Sequence, residues 1–167
     1  MRYEEEGTGK TWFVDLDGTV LEHQSNDSLD AMMENYPDIA HTFEKALPGV
    51  VEFFQSLPKR DKIIITTARL NSHIDHTLKV LNEIGMPYDE YIFEVQSGPR
   101  VVVNDIKPKY TCGNERPLDT AYAINVMRDV GTDLPYKAKS IEENIQTQIN
   151  GTNNSKELLN ENNGTFC

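Results

Sequence analysis

Three short runs of apolar residues each end on a polar cluster, and this repeated junction limits the folds open to the chain. Residues 11–15 (Thr-Trp-Phe-Val-Asp) lead into Asp15-Leu16-Asp17-Gly18-Thr19. Residues 62–66 (Lys-Ile-Ile-Ile-Thr) lead into Thr66-Thr67-Ala68-Arg69, and Arg100-Val101-Val102-Val103 leads into Asn104-Asp105. A short, continuous apolar run between polar turns suits a strand buried on both faces, as in a parallel sheet. Helical patterns fall between the runs. Residues 28–35 and 38–46 read as short helices, and 50–57 as another with Pro48 near its first turn. The clearest helix is 72–84, where Ile74, Leu78, Leu81 and Ile84 share a face. Asn71 or Ser72 can cap its start, and Gly85 ends it. Residues 88–95 and, more weakly, 121–126 read as further strands. This alternation predicts an α/β fold with a mainly parallel sheet. In such sheets ligands bind at the carboxyl ends of the strands, where the polar clusters lie.

A length of 167 residues suits one domain with a tail. Residues 1–137 are expected to form the domain, with a short flap or insertion around 21–47. Residues 138–167 turn polar and rich in Asn, Gln and Glu. There Ile141, Ile145 and Ile149 could line one short helix before a solvated end. The formal net charge of −11 argues against nonspecific nucleic-acid binding, which needs basic surface. Clustered carboxylates are instead what a divalent cation seeks. No apolar run approaches a membrane span, and the charged N-terminal stretch has no apolar leader, so a soluble, cytoplasmic protein is expected. Cys112 and Cys167 read as free thiols rather than a disulfide framework. Gly7-Thr8-Gly9-Lys10-Thr11 imitates the end of a P-loop. However, Glu4 stands where the motif needs glycine, and a strand rather than a helix follows.

Asp15 and Asp17 flank a single residue at the end of a strand and can both reach the space above the sheet. Carboxylates so close repel unless a cation or a shared proton intervenes. Hard oxygen donors at this spacing suit magnesium, and Gly18 permits a tight turn and close approach of a ligand. A threonine hydroxyl after residues 63–65 can donate to a phosphate oxygen, or else cap a helix. Asp105 can complete a cation site, or else merely end a turn.

Taken together, the clusters resemble the haloacid dehalogenase-like (HAD) superfamily, over Phe13 to about Lys109. Val14-Asp15-Leu16-Asp17-Gly18-Thr19-Val20 is similar to the family's first motif, Ile65-Thr66-Thr67-Ala68-Arg69 to its second, and Val103-Asn104-Asp105 to its fourth. The resemblance implies a Rossmann-like three-layer α/β/α sandwich and a magnesium-dependent phosphomonoester hydrolase. In that scheme Asp15 is the nucleophile and Asp17 the acid and base. Mg2+ is held by Asp15, the Asp17 carbonyl and Asp105. Thr67, or Thr66, binds a phosphoryl oxygen, and Gly18, Ala68, Arg69 and Lys107 line the substrate. The family's third motif is a basic residue, usually lysine, and Arg100 is the nearest match, with Lys107 and Lys79 as rivals. The insertion is short, so the site is expected to be open. Its substrate would be a small phosphorylated compound of the sugar phosphate or nucleotide class, and a neighbouring subunit in a homo-oligomer could lend a cap. A phosphate-binding module with little turnover and a phosphotransferase remain as alternatives.

Overall fold

The computed structural model describes residues 9–111 and 114–150. Two compact units emerge. The first comprises the described residues up to Pro99 together with Val126–Pro135, and the second comprises Arg100–Asn125 with the described residues from Tyr136 onward. Arg100–Asn125, expected from the sequence to lie within the domain of residues 1–137, group with the segment beyond Pro135. Cys112, Cys167 and the tail at 153–167 lie outside the described residues.

The first unit is α/β. Its sheet holds β1 (Thr11–Asp15), β2 (Lys62–Thr66) and β3 (Glu90–Ile92), in the order β1-β2-β3 and parallel throughout. Thr11 lies opposite Lys62 and Asp15 opposite Thr66, so both strands deliver their polar clusters to the same edge. Parallel neighbours need crossover connections, and the helices supply them. Helix α1 (Asn26–Asn35) is capped by Ser25, whose side chain accepts from the Ser28 amide at 3.1 Å. Residues 38–46 form no α-helix; a single 3-10 turn spans Ala40–Phe43. Helix α2 is Val50–Gln55. Helix α3 is Ile74–Ile84, entered through a 3-10 turn at Asn71–His73 and ended by Gly85 at φ 74°.

The core lies on one side of this sheet. Val14, Ile63 and Ile65 are buried together with Val50, Val51, Phe54, Val80 and Leu81. Trp12 closes the far end, edge-on to Phe53 and Phe54, with its indole N–H donating to Asp61 at 2.9 Å. Phe13, on the other side, is 58% exposed.

The strand expected at 88–95 shrinks to three exposed residues, and 121–126 forms no strand. The larger correction concerns residues 100–104, expected to be a buried strand. Val101, Val102 and Val103 are 83%, 56% and 92% exposed and belong to no strand. Three valines signal a strand only where a neighbouring backbone completes the ladder, and sequence cannot show whether one does. In the second unit, β4 (Ile106–Lys107) pairs antiparallel with β5 (Leu118–Asp119). Helix α4 spans Leu134–Asn150, starting ahead of the isoleucine pattern expected to define it. No helix among the described residues is long and apolar enough to cross a membrane.

Candidate active site

The loop after β1 winds tightly. The Leu16 carbonyl accepts from the amides of Thr19, Val20 and Leu21 at 3.2, 2.8 and 3.1 Å. This turn needs Gly18 at φ 81°, a left-handed conformation favoured by glycine. The absent side chain also leaves room for a neighbour, since a Cβ on Gly18 would lie 2.8 Å from Cγ of Arg128. The Asp129 amide donates to the Gly18 carbonyl at 2.9 Å, and the Asp129 carboxylate accepts from the His23 amide at 2.7 Å. The turn around Arg128 is therefore fastened onto the loop that carries both aspartates.

Asp15, at the end of β1, is half-buried and accepts from the Thr19 hydroxyl at 3.4 Å. Two residues on, the Asp17 carboxylate meets the cluster that follows β2. The Thr67 hydroxyl reaches it at 3.4 Å and in turn accepts the Arg69 amide at 3.1 Å. Thr66 turns away: its buried hydroxyl donates to the Val14 carbonyl at 3.4 Å, tying β2 to β1. Thr67 is thus the threonine on the site side. The loop is held from beyond by β3 and its continuation, as the Thr67 amide donates to Ile92 and the Glu94 amide donates to Arg69. The Ala68 carbonyl accepts from the Asn26 side chain at 3.3 Å, which seats the start of α1 against the same loop.

Arg69, expected to meet substrate, is 1% exposed and makes a different set of contacts. Its Nε donates to both Asp17 oxygens at 3.2 and 2.9 Å, and Nη2 donates to Asp17 Oδ1 at 2.7 Å and to Glu44. Nη1 donates to Glu44 Oε1 and to the Thr77 hydroxyl, both at 3.1 Å. A guanidinium has five N–H donors, and these contacts engage all of them, so none is left for a phosphate oxygen. Burial alone would lower its proton affinity, but the hydrogen bonds to Asp17 and Glu44 and the two carboxylate charges raise it overall. Glu44 is the mirror case. Burial pushes its carboxyl up, yet hydrogen bonds from His76 and Arg69 and their charges hold it below the ordinary carboxylate value.

The first unit thus gathers Asp15, Asp17, Gly18, Thr67, Ala68 and Arg69 at one sheet edge, with Thr66 facing the strands. Arg100, Asp105 and Lys107 belong to the second unit. Asp105 precedes β4 and is exposed instead of closing a buried strand, Arg100 lies in irregular chain, and Lys107 sits within β4. Lys79 points outward from α3. Sequence reasoning missed Glu44, His76 and Arg128. Glu44 looked like one more acid in a polar insertion, and no local pattern marks a carboxylate whose partner lies 25 residues away.

The donor chemistry suits magnesium in part. The Asp15 carboxylate and Asp17 carbonyl are hard oxygens on one loop, and Mg2+ is commonly held by one or two carboxylates with water and substrate phosphate completing its shell. Among the described residues, no cluster of three or more His, Cys, Asp or Glu side chains forms a metal site.

No family model matches the chain, and no curated protein matches it. Among solved structures, it is similar to a chain in the structure of a Pnkp1/Rnl/Hen1 complex, with a TM-score of 0.37 and 20% identity over 58% of its length. The match spans 32% of that chain.

Proposed function

We propose that the protein is a magnesium-dependent phosphomonoester hydrolase on a Rossmann-like sandwich, acting through an aspartyl-phosphate on Asp15. The observation that carries this reading is the meeting of two loops. Adjacent parallel strands bring Asp15 and Asp17 to the same edge as Thr67 and Arg69. An Asp15 oxygen attacks phosphorus, and the bond from phosphorus to the substrate's alcohol oxygen breaks. Asp17 delivers a proton to that oxygen, then takes one from the water that attacks the aspartyl-phosphate, releasing phosphate and restoring Asp15. Thr67 steadies a phosphoryl oxygen. Bound magnesium would be held by Asp15 and the Asp17 carbonyl, and would offset the repulsion between an anionic nucleophile and an anionic phosphate. Arg128, lying across Gly18, supplies the further positive charge for which Arg100 is the nearest sequence match, with Lys107 and Lys79 as rivals. The substrate class is a small phosphorylated compound, a sugar phosphate or nucleotide.

The test is phosphate release from a panel of sugar phosphates, nucleotides and p-nitrophenyl phosphate with magnesium present. Asp15→Asn is nearly the same size but cannot act as the nucleophile, so it is expected to abolish release while leaving the fold intact. Near wild-type turnover by the variant, or activity undiminished by EDTA, would sink the mechanism. A phosphate-binding module with little turnover is the second reading, favoured by the full engagement of the Asp17 carboxylate by Arg69. Stoichiometric phosphate binding without release would support it.

A further inference from the structure

We propose that Glu44 is a positioning residue for Asp17, acting through Arg69, so that the seating of the insertion is transmitted to the acid and base of the site. The inference rests on the phosphatase reading above and adds a residue that the resemblance does not assign.

Glu44 lies at the end of the insertion, just after the 3-10 turn, in a stretch whose other residues are mostly exposed. Its own side chain is 1% exposed. A buried carboxylate is costly unless it is paired and hydrogen-bonded. Here both oxygens are engaged: Oε1 by Arg69 Nη1 at 3.1 Å and His76 Nε2 at 2.7 Å, and Oε2 by Arg69 Nη2. The insertion leaves and returns through a short antiparallel stem. The Glu22 amide donates to Lys45 at 2.9 Å, and the Leu47 amide donates to Val20 at 2.8 Å. Glu44 therefore sits directly beside the stem that anchors the insertion to the nucleophile loop.

A guanidinium is a rigid plane with a fixed fork of donors. One side of the Arg69 fork is gripped by Glu44 and Thr77, and the other presents Nε and Nη2 to both oxygens of Asp17. Fixing the first side fixes the second. With Glu44 removed, the guanidinium is free to tilt and Asp17 loses its set orientation toward the leaving oxygen. Misplacing a catalytic group by about 1 Å can cost about 10²-fold in rate. The Thr67 hydroxyl is held chiefly by the Arg69 main-chain amide at 3.1 Å, not by the guanidinium that Glu44 grips, so substrate binding depends little on Glu44. The expected signature is therefore a loss in kcat with little change in KM.

The experiment compares wild type, Glu44→Gln and Glu44→Asp with p-nitrophenyl phosphate and magnesium, with near-UV circular dichroism to confirm the fold. Glu44→Gln keeps the volume but puts an amide where an acceptor is needed. Glu44→Asp keeps the charge that balances the buried guanidinium but withdraws the carboxylate by one methylene, and it safeguards the test should the first variant fold poorly. Both are expected to lose about tenfold to 10²-fold in kcat with KM within about twofold. In parallel, proteins labelled at the aspartate side-chain carboxyl carbon are compared by NMR, with the Asp17 signal assigned by Asp17→Asn. It is expected to shift in both Glu44 variants while other aspartate signals hold. Wild-type kcat in a folded variant overturns the positioning role and leaves the phosphatase reading intact. If wild type releases no phosphate from any substrate, the phosphatase reading fails instead, and the NMR arm decides alone. A shifted Asp17 signal then supports the coupling, and an unmoved one overturns it.

Discussion

At the scale of single residues, position in the network matters more than residue type. Arg69 and Arg128 are both cations near the Asp15–Thr19 loop, but Arg69 is spent on two carboxylates while the exposed Arg128 side chain lies across Gly18. Arg128→Ala is expected to weaken inorganic phosphate binding about tenfold or more, since a hydrogen bond to a charged group contributes about 1.5–3 kcal/mol. Calorimetric titration of Arg128→Ala beside Arg100→Ala checks this. Loss only in the Arg100 variant would return the role to Arg100. Arg69→Ala is expected to cost about 3–5 kcal/mol of stability, because it strands two partly or fully buried carboxylates. Urea denaturation measures it, and a cost below about 1 kcal/mol, the range of an exposed ion pair, would refute the network's structural weight.

At the scale of elements, the insertion and the helix after the second cluster are joined by three histidine–carboxylate contacts. His73 meets Asp30 of α1 at 2.7 Å, His76 meets Glu44 at 2.7 Å, and His41 of the 3-10 turn meets Glu83 of α3 at 3.0 Å. Each pair has one partner in the insertion and one in the segment from Asn71 to Ile84. The apolar contribution from α1 is small, since Leu29 is its buried residue. Polar fastening of this kind opens more readily than packed strands. Asp30→Asn is expected to speed hydrogen exchange of α1 amides several-fold while β2 amides keep their protection. Equal acceleration in both elements would show that the pair stabilises the whole unit.

At the scale of the whole molecule, the balance of buried charge sets the response to acid. The folded state holds the Glu44 carboxyl below its ordinary value of 4.5, because the hydrogen bonds and charges of His76 and Arg69 outweigh burial. A depressed carboxyl contributes stability that is present above 4.5 and lost as pH falls through the lower folded value. Thermal melts of wild type are therefore expected to drop as pH falls below 4.5, and those of Glu44→Gln to fall less steeply over the same range. Parallel acid limbs in the two proteins would remove Glu44 from the account.

The sequence alone was enough for local periodicity. The residues 62–66 run became β2 with the expected bounds, Gly85 ended α3, and Asp15, Asp17 and the threonine cluster came to adjacent strand ends. The bounds of β2 and the end of α3 follow from side-chain alternation and capping within a segment, and the meeting of the two clusters follows from the rule that ligands bind at the carboxyl ends of parallel strands. Partnership over long distances needed the tertiary structure. Only the fold could show that Arg69 is saturated by Asp17 and Glu44, that Thr66 serves the sheet while Thr67 faces the site, and that Arg128 closes over Gly18. Only the fold could also show that three consecutive valines lie exposed. Burial and hydrogen-bond saturation depend on which distant backbone or side chain arrives, and no periodicity within a segment encodes that arrival.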